Sequence, residues 1–340
     1  MALGCPYGTH RVLEPLGVLP QPARRLDNQS DPCDNEILVD VETLNVDSAS
    51  FHQISNSVGG DPDRIAAAIS DIVAQRGKLQ NPVTGSGGML IGRVRFVGPA
   101  LNSDLQPGDR IATLVSLSLT PLRLERITAI RPATDQVDVV GTAILFETGL
   151  YAKLPADIPD TLALAVLDVC GAPAQTARLT KPGATVLILG GGGKSGLLCS
   201  YVAKRAGARR VICFDYSDES LARAKRLGAA DEYIQGDARD VLAVMRAVGD
   251  KADLTLSCLN VPGAELSAIL ATKPSGMVYF FSMATSFTAA ALGAEGVGSQ
   301  VDMLIGNGYY PGHAELTLQL LRESPGLRSL FEEIYTGAGR

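Results

Sequence analysis

The stretch VLILGGGGKSG, residues 186–196, sets four apolar residues directly before four glycines, then Lys194, Ser195 and Gly196. A buried strand thus runs into a glycine-rich turn and a helix start, as happens where a backbone comes close to a phosphate. Gly191, Gly193 and Gly196 match the G-x-G-x-x-G spacing of dinucleotide-binding turns. The Lys194-Ser195 pair also suggests a triphosphate loop. That pattern needs glycine where this chain has Ile188, so it fails. A strand at Thr185–Leu189 precedes the glycines and a helix at Leu197–Ala206 follows. A second strand, Arg210–Phe214, ends at Asp215, 19 residues after Gly196. That is close to the roughly 20 expected of the acidic residue that binds the adenosine ribose.

The glycines have separate tasks. One permits the tight turn, one lets the backbone approach the pyrophosphate, and one lets the helix pack on the strand. Gly192 completes the run, and Lys194 and Ser195 are placed to line the phosphates. The helix N-terminus adds N–H groups and partial positive charge. Asp215 accepts hydrogen bonds from a ribose 2′-hydroxyl and repels a 2′-phosphate, which favours NAD over NADP. The following residues, Tyr216, Ser217 and Asp218, include no base, and Arg209 and Arg210 stand at the wrong end of the strand. Tyr216 and Asn260 complete the expected cofactor set.

At 340 residues the length suggests about two domains. A chain that is 46% hydrophobic and 19% charged can bury large cores. The net charge of −6 and the lack of a basic run argue against nucleic acid as a partner. No apolar run reaches the roughly 18 residues of a membrane span, and no leader pattern opens the chain. Six cysteines without C-x-x-C pairing suit reduced thiols in the cytoplasm, with Cys199 and Cys213 in the core.

The expected class is α/β. Residues 1–155 carry short β-type runs at Glu36–Leu44, Gly88–Val97, Arg110–Leu114, Thr128–Ile130 and Gln136–Val140, and read as a β-rich, barrel-like domain. Asp61–Arg76 reads as an inserted helix, with Asp61 as N-cap, Pro62 in the first turn, and Ile65, Ile69, Ile72 and Val73 at helical spacing. From about residue 180, strands and helices alternate. Helices at Asp218–Leu227, Ala238–Val248 and Gly263–Ala271 separate strands near Tyr233–Ile234, Asp253–Cys258 and Gly276–Phe281. A last strand at Asp302–Ile305 precedes a helix at His313–Glu323. Such alternation predicts a doubly wound parallel sheet over 156–306. Residues 307–340 are expected to return to the first domain.

This order resembles the medium-chain dehydrogenase/reductase superfamily, which implies a GroES-like barrel followed by a Rossmann domain. The resemblance rests on the turn Leu105-Gln106-Pro107-Gly108-Asp109-Arg110 and on Cys170-Gly171-Ala172 followed by Thr180-Lys181-Pro182-Gly183. Phe214-Asp215 with Ala224-Lys225-Arg226-Leu227-Gly228-Ala229 adds to it. The N-terminal stretch Gly4-Cys5-Pro6-Tyr7-Gly8-Thr9-His10-Arg11, with Glu14-Pro15 and Gly17–Ala23, resembles the 3,5-diaminohexanoate dehydrogenases of lysine fermentation. That resemblance implies oxidative deamination at the 3-amino carbon of a small diamino acid, NAD as cofactor, and a homodimer paired through the last strands of the Rossmann sheet. Zinc-dependent members of the superfamily share an early Cys, a Gly-His-Glu motif and a later Cys. Here those places hold Leu44–Asp47, Gly85-Ser86-Gly87-Gly88 and Cys170, so no metal is expected. A nonstandard trio of Asp47, His52 and Cys170 stays as a lesser alternative.

Loss of hydride from an amine carbon needs the neutral amine, whose conjugate acid has a pKa near that of lysine, about 10.4. The site therefore needs a base, which then activates water against the iminium carbon. Candidates are Asp47, Glu147, Asp168 and His52. Asp168 lies in the apolar setting Leu167–Cys170, where burial would raise its pKa. His10 and Arg11 are candidates for the substrate carboxylate. Each has a plainer structural alternative: capping for Asp47, a stapled N-terminus for His10 and Arg11. His313 reads as a capping residue. No Gly-x-Ser-x-Gly elbow points to a hydrolase. The other functional readings are a zinc-free alcohol or quinone oxidoreductase and a non-catalytic nucleotide-binding protein.

Overall fold

Two short antiparallel strands, β1 (Val12–Glu14) and β2 (Arg25–Leu26), close the N-terminal arm into a ribbon. β3 (Glu36–Val46) follows. It buries Ile37, Val39 and Val41, then changes phase at a bulge so that Leu44 and Val46 face the same core. The computed structural model describes residues 2–29, 31–306 and 308–335. They fall into two units, 1–164 and 165–340.

In the first unit α1 (Ser48–Ser57) and α2 (Pro62–Arg76) come next. Then follow β4 (Gly88–Val97), β5 (Arg110–Thr113), β6 (Leu122–Arg131), β7 (Gln136–Phe146), β8 (Tyr151–Lys153) and α3 (Asp160–Leu167). Six strands form one antiparallel sheet in the order β6-β7-β3-β4-β5-β8. α2 is the expected insertion. Asp61 accepts from the Arg64 amide at 2.9 Å, Pro62 opens the helix, and Ile65, Ile69 and Val73 are buried. α1 was not foreseen, because Ser, His, Gln and Asn dominate it and leave Phe51 and Ile54 as its buried apolar residues. β6 and β7 run well past the short pieces expected, since their pairing continues through polar residues such as Arg123, Arg126 and Thr142.

The second unit opens with α4 (Gly171–Leu179), β9 (Thr185–Leu189), α5 (Lys194–Arg205), β10 (Arg210–Asp215), α6 (Asp218–Leu227) and β11 (Glu232–Gln235). It continues with α7 (Val241–Val248), β12 (Ala252–Ser257), α8 (Glu265–Leu270), β13 (Thr272–Phe280), α9 (Phe287–Gly296), β14 (Asp302–Ile305), α10 (His313–Glu323) and α11 (Pro325–Tyr335). The sheet is all parallel in the order β11-β10-β9-β12-β13-β14. This is the doubly wound order, with its switch between β9 and β12. Both faces are covered: Leu187 and Leu189 of β9 enter one core, and Val186 and Ile188 enter the other.

The division of the chain can be compared with the boundaries expected at residues 155 and 306. The division falls inside α3, after Leu164 rather than after residue 155, because the chain passes from β8 into an apolar helix. The described residues 308–335 fall in the second unit. α10 and α11 bury Leu318, Leu320, Leu321, Leu327, Leu330 and Phe331. Ion pairs Arg205–Glu323 and Arg226–Glu333 tie these helices to α5 and α6. Residues 307 and 336–340 lie outside the described part. No described helix is long and apolar enough to cross a membrane.

Candidate active site

The glycine run stands at the switch point, beyond the C-terminal ends of β9 and β12. Gly190 takes φ 78°, and its amide and that of Gly191 donate to the Phe214 carbonyl at 2.9 and 3.0 Å. A Cβ on Gly196 would lie 2.1 Å from the Gly190 carbonyl oxygen, so only glycine allows α5 to pack so close to the turn. Gly191 and Gly192 are pressed against Cys213 and Ser220. Gly193 is exposed and a Cβ there would meet little, so this is where the backbone is open to a ligand. Gly193 starts α5 with no side-chain cap, which leaves the helix's first N–H groups to an anion. Lys194 and Ser195 occupy that first turn.

Asp215 ends β10 beside this loop. Its carboxylate accepts from the Gly192 amide at 3.0 Å and the Ser217 amide at 3.1 Å. Tyr216 is 72% exposed next to it. Arg239, whose charge reaches Tyr216, is bonded through two nitrogens to Asp237. Asn260 lies just past β12, with Oδ1 accepting from the Ser282 hydroxyl at 3.4 Å.

The four candidate bases part company. Asp168 is not in an apolar pocket. It is exposed, and its Oδ2 accepts from Lys194 Nζ at 2.7 Å. The apolar neighbours in sequence, Leu167 and Val169, turn inward while Asp168 turns out. The nearby Cys170 is buried, and burial together with the Asp168 charge pushes its thiol up to about 12. Glu147 is also exposed and accepts from Asn35 Nδ2 at 2.9 Å. Asn35 in turn grips both polar atoms of the Gly4 backbone, so Glu147 belongs to the N-terminal anchor.

Asp47 and His52 share a different setting. Asp47 caps α1 by accepting from the Ser50 amide at 3.2 Å. Among the described residues it has no Arg or Lys partner. His52, one turn on, is 67% exposed with Nε2 4.0 Å from Asp135 Oδ1. Asp135 also accepts from the Ser48 hydroxyl, and its carbonyl accepts from the Val46 amide at 3.0 Å. Sequence reading missed Asp135. It stands in the β6–β7 turn at φ 56°, a left-handed conformation that Asp tolerates better than most residues, and only folding brings it to α1. Buried Ser50 joins the hydroxyls of Thr84 and Ser86 behind this cluster, at 2.5 and 2.8 Å. Ser86 occupies the place of a zinc-binding histidine, and its hydroxyl is bonded to Ser50.

His10 and Arg11 serve the fold. Arg11 is 2% exposed and donates to Glu36 at 2.6 and 3.1 Å and to the Asp31 carbonyl at 2.7 Å. The expectation that it binds a substrate carboxylate gives way to this staple. His10 donates from Nε2 to Glu36 at 2.9 Å and accepts at Nδ1 from the Cys5 amide at 3.0 Å. Burial works against the Glu36 carboxylate, but Arg11, the Cys33 amide and His10 outweigh it and hold its pKa below the usual range. His10, Cys33 and Glu36 also lie close enough to ligate a metal. The proton arrangement speaks against one: Nδ1 accepts a hydrogen bond, so Nε2 must carry the proton, whereas a ligating Nε2 must not. A cavity of about 260 Å³ in the first unit, lined by Tyr7, Leu19, Val115, Leu119, Ile144 and Phe146 among others, has no charged side chain in its wall. It does not suit an ammonium-bearing acid.

Comparison with known proteins places this geometry. A family model described as the L-erythro-3,5-diaminohexanoate dehydrogenase N-terminal domain matches residues 10–155, and one described as zinc-binding dehydrogenase matches 195–297. A protein of Acetoanaerobium sticklandii named L-erythro-3,5-diaminohexanoate dehydrogenase is 56% identical, over 98% of this chain and 99% of its own. One of the same name from Fusobacterium nucleatum is 53% identical over 98% of this chain and 100% of its own. The fold is shared with AibC, at TM-score 0.55 and 20% identity over 87% of this chain and 83% of that one. It is also shared with a zinc-dependent alcohol dehydrogenase from Streptococcus pneumonia, at TM-score 0.55 and 14% identity over 92% and 91%. The two long relatives span both units and carry one name. By that full-length likeness the chain belongs to the L-erythro-3,5-diaminohexanoate dehydrogenase family.

Proposed function

We propose that this protein catalyses the NAD-dependent oxidative deamination of L-erythro-3,5-diaminohexanoate to 5-amino-3-oxohexanoate, ammonia and NADH. The observation that carries this reading is the 56% identity, over nearly the whole length of both chains, to a relative of that name. The glycine cradle at 190–196, the uncapped start of α5 and the Asp215 carboxylate fit a dinucleotide. Asp215 and the commitment of Arg239 to Asp237 support NAD over NADP. When bound, the nicotinamide accepts the hydride from the amine-bearing carbon.

The chain's own residues supply proton handling. The substrate arrives as an ammonium, and Asp47 takes its proton so that the nitrogen lone pair can assist hydride loss. The product of that step is an iminium. Asp47 gives its proton to bulk water and then takes a proton from the water attacking the iminium carbon. Asp47 returns that proton to the amino nitrogen, the C–N bond breaks, and the departing ammonia takes up the hydroxyl proton as ammonium ion, which leaves the ketone. In sum, ammonium substrate, NAD and water give ketone, ammonium ion, NADH and one proton. Asp47 and Asp135, without Arg or Lys partners among the described residues, also offer negative charge to a substrate with two ammonium groups. The assay mixes protein, NAD and the diamino acid. It should yield NADH and ammonia in equal amounts, with NADP at least about tenfold poorer. NADH formation from alcohols with no ammonia would sink the proposal.

We further place the protein in the cytoplasm as a homodimer. Six unpaired cysteines fit a reducing compartment. β14 is the outer strand of its sheet, and Met283, 85% exposed, lies near Gly306 at its end.

A further inference from the structure

Asp168 and Lys194 sit 26 residues apart in the chain and 2.7 Å apart in the fold. Lys194 is the first residue of α5, next to the open Gly193. Its ammonium also lies 5.7 Å from the centre of the Tyr335 ring, at the end of α11. A lysine on a flexible four-carbon stem is thus held between a carboxylate and an aromatic face, at the place where the dinucleotide's phosphates meet the helix.

We propose that Asp168 is a positioning residue for the cofactor: with Tyr335 it holds the Lys194 ammonium at the start of α5, where that charge meets the pyrophosphate. This rests on the nucleotide reading above and gives Asp168 a task other than proton transfer. A carboxylate beside a pyrophosphate repels it, but a lysine between the two anions attracts both. The aromatic face limits the directions the stem can take without competing for the proton donors of the ammonium. Held in this way, Lys194 loses less freedom when the cofactor arrives.

The test is NADH binding, followed by nicotinamide fluorescence, together with steady-state kinetics. Asp168→Asn should raise the Kd for NADH about tenfold, the weight of one charged hydrogen bond, and leave kcat at saturating NAD within about twofold. Lys194→Ala should do at least as much. The double variant should be no worse than Lys194→Ala alone, because Asp168 acts through Lys194. Lys194→Arg should recover most of the loss. Displacement of NADH by adenosine, which has no phosphate, should give the same adenosine affinity in wild type and Asp168→Asn. A fall in kcat with the Kd unchanged would return Asp168 to proton transfer and overturn the proposal. Additive losses in the double variant would overturn it too. If wild type binds no NADH, the nucleotide reading itself fails. Melting temperatures of each variant separate these effects from misfolding.

Discussion

At the residue scale, what decides a side chain's role is what it is bonded to. Three acids and one histidine looked alike as candidate bases, and partners separate the acids: Asp168 is taken by Lys194, Glu147 by Asn35, and Asp47 by a single backbone amide. Asp47→Asn is the clean test, because Asn caps a helix about as well as Asp but cannot take a proton. It should lower kcat by about a hundredfold or more, the usual weight of a general base, and leave NADH affinity unchanged. Single-turnover kinetics and NADH titration check this. Retention of full kcat would exclude Asp47 as the base. The nearby Asp135 could not be read from sequence, since its contacts to Ser48 and His52 depend on the pairing of β3 with β7.

At the element scale, the N-terminal arm is held by an unusual anchor. Lys78, fully buried just past α2, donates from Nζ to the carbonyls of Pro20 and Gln21 at 2.7 and 2.9 Å. Burial, with the charge of Arg76, pushes its pKa down from 10.5 to about 8. The folded-state pKa is therefore the lower one. Between those two values the unfolded chain binds the extra proton, so stability rises with pH across that window. The neutral amine still has two N–H donors for the two carbonyls. Lys78→Met removes the titration. Its stability deficit against wild type, from urea unfolding at successive pH values, should widen by up to about 3 kcal/mol from pH 8 to 10.5. A deficit constant with pH would show that burial does not shift this amine.

At the scale of the whole molecule, the dimer proposed through β14 predicts a native mass twice that of the chain by sedimentation. Met283→Lys should shift the mass towards monomer at low micromolar concentration, since a charge at a buried contact is costly. A wild-type monomer at all concentrations would remove the dimer. Much of the second unit was open to sequence reading because its signals are local. Apolar runs of strand length, glycines at fixed offsets and caps such as Ser217 and Gly228 mark elements by neighbours along the chain. The helix Asp218–Leu227 and the strand Asp302–Ile305 lie where the sequence places them. The last helices were harder to place for the opposite reason. The helices at 313–335 are amphipathic, and an apolar stripe says that a helix packs without saying on what. The sequence by itself determined the nucleotide fold, its glycine turn and the acidic end of β10, because each depends on backbone geometry that only certain residues allow. Tertiary structure alone decided which charges stay available. Arg11 is buried under Glu36, Asp168 faces Lys194 and Asp47 has neither an Arg nor a Lys beside it among the described residues, since an ion pair is formed by residues distant in the chain and near in space.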